Sequence, residues 1–444
     1  MKRITARRAT ATMLAAAAAI ALVGCSDGGS GSDEKPEKLV VWTGQANEPG
    51  FGAQQEIAEK FEAATGIAVE IVPKPPAFAG DNTSLATSVG AGVPPDLYVM
   101  DRNSLPGQGA IGMLTDLGPL LQGEDADLLD NYLPGPVKTS SFNGQHYGLP
   151  LFATARGLYF NKTLLKEVGV DPAVLDPANG APTIELITEI AEKLDHRDAS
   201  GDYDRLGFVP WYSQAKHMTW NVSHGAQFFD EDTCSIPEAG DVQVQTFEYL
   251  QETAERLGYQ DVQTFIATYA STPNSSPFFT GNLGMTIDGN FFIDALEKYA
   301  PDLDYGVTYI PVAEEGDPIG TYMGGWSVVI PRGVHSEHWS WELAKFFAGE
   351  EGQRIFETAT QTIPTWTDLI DDPEVTGRQG LFSSMLEDYG IEFPPLPVTT
   401  PFYSAMDQAQ QAVLLGESTP EEALASVAQQ VNTQMQGYCP YTIG

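Results

Sequence analysis

The sequence predicts an α/β protein, and three observations predict it. Between residues 39 and 100 short β-forming runs alternate with helical stretches, the strand–helix–strand order that builds a parallel open sheet. The same switching between compact apolar runs and amphipathic stretches continues to residue 435. Length and composition allow it: 444 residues, 42% hydrophobic, with 44 glycines and 31 prolines, describe a turn-rich globular chain. Such a chain has room for two or three ordinary cores, and no repeat or internal low-complexity linker divides it.

Taken in order, residues 39–42 (Leu-Val-Val-Trp) are the first strand and run into Thr43-Gly44. In residues 54–65, Ile57, Ala58, Phe61 and Ala64 recur at helical spacing, and Gly66 is a natural stop. Residues 67–72 form the next strand and 85–91 a short helix, after which Pro94-Pro95-Asp96 leads into a strand over 97–100. Ligands of such sheets bind outside the carboxyl ends of the strands, here residues 42–44 and 101–103. Strands follow at 147–152 and 157–160, then helices at 163–168 and 185–194, the latter with Leu186, Ile190 and Leu194 on one face. A strand at 206–209 opens a segment containing Trp211, Tyr212 and Trp220, and 244–257 is helical. Strands at 283–287, 305–310 and 326–330 precede helices at 341–347, 353–358, 403–414 and 421–435.

The N-terminus points outside the cytoplasm. Lys2, Arg3, Arg7 and Arg8 form a basic region ahead of an apolar stretch too short for a bilayer, which takes about 20 residues. Leu22-Val23-Gly24-Cys25 resembles a bacterial lipobox, in which Cys25 is diacylated and becomes the mature N-terminus. Residues 1–24 are thus expected to be a lipoprotein signal peptide and 25–37 a flexible polar tether. No apolar pair follows Arg7-Arg8 at twin-arginine spacing, so the general secretory route is expected, with the lipid holding the chain at the extracytoplasmic face of the cell membrane.

Without the leader's four basic residues, 19 Lys+Arg face 60 Asp+Glu, a net charge of −41. That excludes a nucleic-acid grip, which needs clustered cations, and leaves membrane contact to the lipid alone. With Cys25 lipidated, Cys234 and Cys439 remain as an even pair in an oxidising compartment and are expected to form a disulfide tying the C-terminus to an inner loop. No CxxC or Cys/His cluster suggests zinc, and no cofactor is called for.

Three segments together resemble the family 1 extracellular solute-binding proteins, the carbohydrate-binding lipoproteins of ABC importers that include maltose-binding protein. They are Asn143-Gly-Gln-His-Tyr-Gly-Leu-Pro150 running into Leu158-Tyr-Phe-Asn161-Lys162; Phe278-Phe-Thr-Gly-Asn-Leu-Gly-Met-Thr-Ile-Asp-Gly289; and Tyr305-Gly-Val-Thr-Tyr-Ile-Pro311 with Tyr322-Met-Gly-Gly-Trp-Ser-Val-Val-Ile330. The likeness runs in order from Leu39 to Met435. It implies a two-lobed, periplasmic-binding-protein-like (type II) clamshell with a hinge of about three crossings, near Phe152, Met323 and Thr365. Lobe 1 would be residues 38–151 and 326–365, and lobe 2 residues 152–325 and 366–444. The implied function is capture of a sugar or oligosaccharide by a monomeric, non-enzymatic receptor that delivers it to the transmembrane subunits of an ABC permease.

Sugars present apolar C–H faces and a rim of hydroxyls, so a cleft for them needs aromatic platforms with carboxylates, amides and Arg around them. Matching along the family's motifs implies Trp42, Gln45, Asn47 and Glu48 at the first strand end, Asp101 and Arg102 at the third, and Thr154 and Arg156 at the first crossing. It implies Trp211, Tyr212, His217 and Trp220 after Val209, and Asn290 and Phe291 in a turn where the family often stacks an aromatic. Gly324, Gly325 and Trp326 fall at the second crossing, the glycines allowing close backbone approach, and Tyr403 at the start of a helix. Trp326, Tyr403 and Trp211 are better candidates than Trp42 and Trp220, because an aromatic beside a strand end is as often core. The family's maltose binder has a carboxylate at the position of Thr154 and an indole at that of Phe291, so the identity of the sugar does not carry over.

The alternatives are a polyol, polyamine or ferric ligand, or a secreted lipoprotein glycosidase with paired carboxylates. Gly107-Gln-Gly109-Ala-Ile-Gly112 spells a dinucleotide loop but follows no strand end, and Asp198-Ala-Ser-Gly-Asp202-Tyr-Asp204 resembles a calcium loop without its terminal Glu. Both read as ordinary turns.

Overall fold

The computed structural model describes residues 34–45, 49–74, 83–269, 275–377 and 379–441. The leader, Cys25, most of the tether and the site candidates Asn47 and Glu48 lie outside these residues.

The parallel start forms as read. Lys38–Thr43 pairs in parallel with Ala68–Pro73 on one side and Leu97–Asp101 on the other. Between them the helix Gly50–Thr65 buries Ala53, Ile57 and Phe61 and stops at Gly66, whose φ of 71° lets its N–H cap Glu62 O. The long strand Thr321–Val329 lies antiparallel to both Leu97–Asp101 and Leu149–Thr154. Ile363–Pro364 adds the outer edge and Gly390–Glu392 pairs with the start of the long strand, giving a seven-stranded sheet.

The chain leaves this sheet at Ala155. The very next strand, Arg156–Asn161, is the centre of a second sheet, flanked antiparallel by Met285–Gly289 and Tyr305–Thr308. Each sheet has its own apolar core, the larger with Leu39, Phe61, Val99 and Phe347, the smaller with Leu158, Ile187, Leu250 and Met285. A third cluster packs the C-terminal helices Thr399–Leu414 and Pro420–Met435 against Val222, Phe247 and Tyr322.

Several elements depart from the sequence reading. The strand expected at 206–209 is reduced to a bridge between Leu206 and Leu283. Helices His217–Ser223, Tyr259–Ala267, Phe292–Tyr299 and Gly380–Tyr389 were not expected. The first is buried at every position, so no polar face marks its period. The acidic motif is a turn as read, whereas the glycine motif begins in a helix. Gly109 sits in the helix Leu105–Ala110, and a Cβ there would lie 2.5 Å from the Tyr147 ring, so the glycine serves packing. Asp198 Oδ1 accepts the N–H groups of Ser200 and Asp202 and closes the hairpin of His196–Arg197 with Tyr203–Arg205. Among the described residues no group of three or more His, Cys, Asp or Glu could hold a metal ion, and no helix is long and apolar enough to cross a membrane.

Cys234 and Cys439 form the expected disulfide, 205 residues apart. Beside it the Asn432 side chain accepts from Ile236 N and donates to Ile236 O, docking the last helix on the same loop. Replacing both cysteines by serine should lower the unfolding free energy by about 2–5 kcal/mol, read from urea denaturation under non-reducing conditions. Unchanged stability would remove the bridge from the forces holding the C-terminus.

Candidate functional site

The strand Leu97–Asp101 ends beside the long strand, with Asp101 in register with Trp326. The next side chain, Arg102, is 2% exposed, and its guanidinium donates from Nη1 to Phe152 O (3.0 Å) and from Nη2 to Gly324 O (2.8 Å). One residue at the end of an inner strand thus holds the adjacent long strand and, beyond it, Leu149–Thr154. A Cβ on Gly325, where φ is +150°, would lie 2.6 Å from Arg102 Nη2 and 2.2 Å from Phe152 O. A Cβ on Gly324 would lie 2.6 Å from Arg156 Nη1. The glycine pair is what lets two guanidinium groups close on one strand.

Arg156 is also buried. Its Nη1 donates to Thr154 Oγ1 (2.6 Å), Thr154 O (3.1 Å) and Tyr322 O (3.2 Å), and its Cζ stands 4.6 Å from the centre of the Tyr322 ring. Its Nε has no hydrogen-bond partner among the described residues. The Tyr322 hydroxyl accepts from Asn103 Nδ2 (2.6 Å) and lies 3.1 Å from the Tyr403 hydroxyl. Asp288, near the end of Met285–Gly289, accepts from Ser213 Oγ (2.6 Å) and Gly289 N (2.8 Å). Burial pushes both Asp101 and Asp288 up to about 6, against the opposing pull of nearby positive charge, to which Arg156 contributes at both. Burial also lowers Arg102 to about 10, with the Asp101 charge resisting. It raises the phenols of Tyr322 and Tyr403, which therefore stay protonated donors. Hydroxyls, an amide, carboxylates, guanidinium groups and ring faces meet here, a set that holds a polar ligand through many directed hydrogen bonds.

Residues 56–382 match the family of bacterial extracellular solute-binding proteins. The chain belongs to that family. The galactooligosaccharide-binding protein of Bacillus subtilis is 22% identical to it over 440 residues, 97% of this chain and 98% of that one. The maltooligosaccharide ABC transporter solute-binding lipoprotein of Streptococcus pneumoniae is 24% identical over 402 residues, 89% and 87% of the two chains. Among solved structures, CpMnBP1 with mannotriose bound aligns with a TM-score of 0.77 at 24% identity, over 89% of this chain and 100% of that one. A cyclo/maltodextrin-binding protein complexed with maltotetraose aligns with a TM-score of 0.64 at 22% identity, over 91% and 99%. This likeness establishes the two-lobed α/β fold, to which the two sheets correspond.

In this solute-binding protein, Asp101, Arg102, Thr154, Arg156, Gly324, Gly325 and Tyr403 come together as one cluster. What approaches the two glycines is arginine side chains rather than an open ligand surface. Trp42 is half-buried, edge-on to Tyr98 at 6.1 Å with Lys74 Nζ 3.6 Å above its ring. Gln45 caps the same strand end, its N–H on Thr43 Oγ1 and its carbonyl taking Gln54 Nε2. Phe291 keeps a surface-exposed ring and Tyr212 a half-buried one.

Five candidates turn out to have structural roles. Trp211 packs on Tyr259 inside the core of the three-stranded sheet, Trp220 on Phe208 and Tyr249, and Trp326 is buried in the core of the seven-stranded sheet. His217, 1% exposed, spends its Nε2 on Asp407 and packs on Phe247, so it ties two helices. Asn290 accepts from Ala155 N and donates to Gln361 O and Gln379 Oε1, clamping the chain where it changes sheets. Sequence reasoning missed Asn103, Ser213, Asp288 and Tyr322. Tyr322 and Asp288 carried a signal, one beside the glycine pair and the other closing an apolar strand. Ser213 carried none, its place depending on a loop residue with φ of 56°.

Two outcomes follow from this geometry. Arg102→Lys leaves one ammonium where a planar fork spans two carbonyls, and should destabilise the protein by about 2 kcal/mol or more in urea unfolding. Asp288, enclosed at 4% exposure, has a folded pKa of about 6 against an ordinary 3.8. The folded state therefore binds the proton first, so the burden of the buried charge is full above pH 6 and disappears as pH falls toward 4. Stability should rise on acidification through that window, and Asp288→Asn should remove up to about 1.4 kcal/mol per pH unit of that slope. Identical slopes in both proteins would place Asp288 in water.

Proposed function

We propose that this protein binds a sugar or oligosaccharide in the cleft between its two lobes and hands it to an ABC import permease, without turning it over. One observation carries the reading: the cluster of Asp101, Asn103, Arg156, Asp288, Tyr322 and Tyr403, where hydroxyl, carboxylate, guanidinium and ring face converge at a strand end. Each hydroxyl of a sugar both donates and accepts, and its C–H faces stack on rings, so this chemistry suits a neutral polyhydroxylated ligand better than a compact ion. The half-buried Trp42 and exposed Phe291 are the outer platforms in this reading. Relatives named for galactooligosaccharide, arabinooligosaccharide and maltooligosaccharide binding support it.

In the same proposal the lobes are residues 38–151 with 326–365 and 152–325 with 366–444, and closure between them selects the bound state. The protein acts as a monomer, anchored outside the cell membrane by a lipid on Cys25, with the permease's transmembrane subunits as its partner.

The test is thermal unfolding of the full chain against mono- and oligosaccharides, polyols, polyamines and ferric citrate, with each ligand recovered afterwards. A saturable rise in Tm with one sugar class, the sugar intact, is expected. A shift with polyamine or iron alone would discard the sugar, and consumption of the sugar would make the protein a glycosidase. For the sugar that binds, Arg156→Ala should weaken affinity about 10- to 100-fold, the loss of a charged hydrogen-bonding group, while Tyr403→Phe should weaken it about 3- to 10-fold in calorimetric titration.

A further inference from the structure

The helix Glu350–Thr360 ends in a reversal. Gln361 takes the left-handed conformation, with φ of 53°, and the chain turns at once into the edge strand Ile363–Pro364. Both carbonyls in the turn reach toward the second sheet. Gln361 O accepts Asn290 Nδ2 (2.8 Å) and Thr362 O accepts Gln379 Nε2 (3.2 Å), while Asn290 Oδ1 accepts Ala155 N where the chain changes sheets.

Inside this reversal Glu357, Thr362 and Thr360 make a chain of buried oxygens, with Glu357 at 0% exposure. Three contacts link it: Glu357 Oε2 with Thr362 Oγ1, Thr362 Oγ1 with Thr360 Oγ1 (2.7 Å), and Thr360 Oγ1 with Phe356 O (2.8 Å). Counting hydrogens fixes their direction, since a hydroxyl has one to give and a carbonyl has none. Phe356 O can only accept, so Thr360 spends its hydrogen there. Thr362 then spends its own on Thr360, and the remaining contact needs a hydrogen that only the carboxyl can bring. A neutral acid satisfies all three contacts. A carboxylate leaves one of them as two facing oxygens with no hydrogen between.

The surroundings agree. Glu357 Oε1 has no hydrogen-bond partner among the described residues, which is far less unfavourable for a carbonyl oxygen than for a carboxylate. Burial pushes the carboxyl well above its ordinary range, opposed only by the Thr362 contact. The cations of this helix and of those packed on it are engaged elsewhere: Arg354 with Asp372 and Glu350, Lys60 with Glu351, Lys345 with Asp125 and Glu342. The other titratable groups of the packed helices, Glu56, Glu59, Glu62, Glu337, His338, Asp368 and Glu374, are exposed.

We propose that Glu357 is a positioning residue that works as a neutral carboxylic acid: it starts the hydroxyl chain that fixes residues 360–363 against Asn290 and Gln379, and loss of its proton to solvent loosens that connection between the sheets. No part of this rests on the sugar reading.

The first probe is infrared absorption of the full chain at about pH 8, where Asp101 and Asp288, at about 6, are ionised. The carbonyl band of a protonated carboxylic acid is expected there and should vanish in Glu357→Gln. That variant still donates, from Nε2 to Thr362 Oγ1, so it should fold and hold the segment while losing the pH dependence. The sign follows from linkage. The folded state keeps a proton that the unfolded chain releases above an ordinary value of 4.5, so this group lowers the folding constant by up to about tenfold per pH unit as pH rises from there. Urea unfolding of Glu357→Gln should lack that slope. Glu357→Leu fills the space without a donor, and amide exchange at Gln361 and Thr365 should quicken about tenfold or more, while Glu357→Gln leaves it unchanged. No acid band in the natural protein, its survival in Glu357→Gln, or equal pH slopes in those two proteins would each overturn the proposal. So would fast exchange in Glu357→Gln or unchanged exchange in Glu357→Leu.

Discussion

A guanidinium sealed from water must find oxygen within the protein for its donors, and Arg102 finds it on two different strands. Its bonds to Phe152 O and Gly324 O lock Leu149–Thr154 and Thr321–Val329 to the end of Leu97–Asp101, where the candidate cluster is built. The contact also sets the local sequence. Gly325 cannot carry a side chain without striking that guanidinium, and the neighbouring Gly324 makes the same allowance for Arg156. Asp101 sits beside this charge, which partly offsets the effect of its own burial. Remove the buried fork and the strands, the glycines and the carboxylate lose their common reference.

The chain's passage between sheets is secured by the same device, using neutral amides. Asn290, with no exposed surface, binds Ala155, Gln361 and Gln379 at once. Gln353, equally enclosed, donates to Pro150 O and accepts the N–H groups of Thr365 and Trp366. Both side chains sit where extended segments leave the regular ladders and their backbone groups need partners. These clamps lie close in sequence to the candidate cluster, Ala155 immediately before Arg156 and Pro150 on the strand that ends at Thr154. A ligand drawn in by Arg156 and Tyr322 would touch residues on strands that such clamps also hold.

Much of the fold was legible because periodicity records burial. Gly50–Thr65, Asp241–Leu257 and Pro420–Met435 each expose one face and bury the other, and their spacing announced them. His217–Ser223, buried all round, offered no such contrast. The aromatic candidates divided for a related reason. Trp211, Trp220 and Trp326 are read from the same residue type as Trp42, and only the packing around each decides whether its ring faces a core or an opening. Family likeness points to particular strand ends, since positions along a shared fold carry over. The work each side chain does depends on its neighbours and does not.

The α/β class, the acidic surface, the pairing of Cys234 with Cys439 and the ordered motifs of a solute-binding family were readable before any contact was known, because each is written in composition or in order along the chain. The folded contacts add that Asn290 and His217 are ties rather than free polar groups, and that Asp288, Ser213 and Tyr322 join Arg156. Those facts depend on contacts across 71 to 190 residues of chain, such as Asn290 with Gln361 and His217 with Asp407. Hydrogen bonding acts over about 3 Å of space. Distance along the chain says nothing about which donors will arrive there.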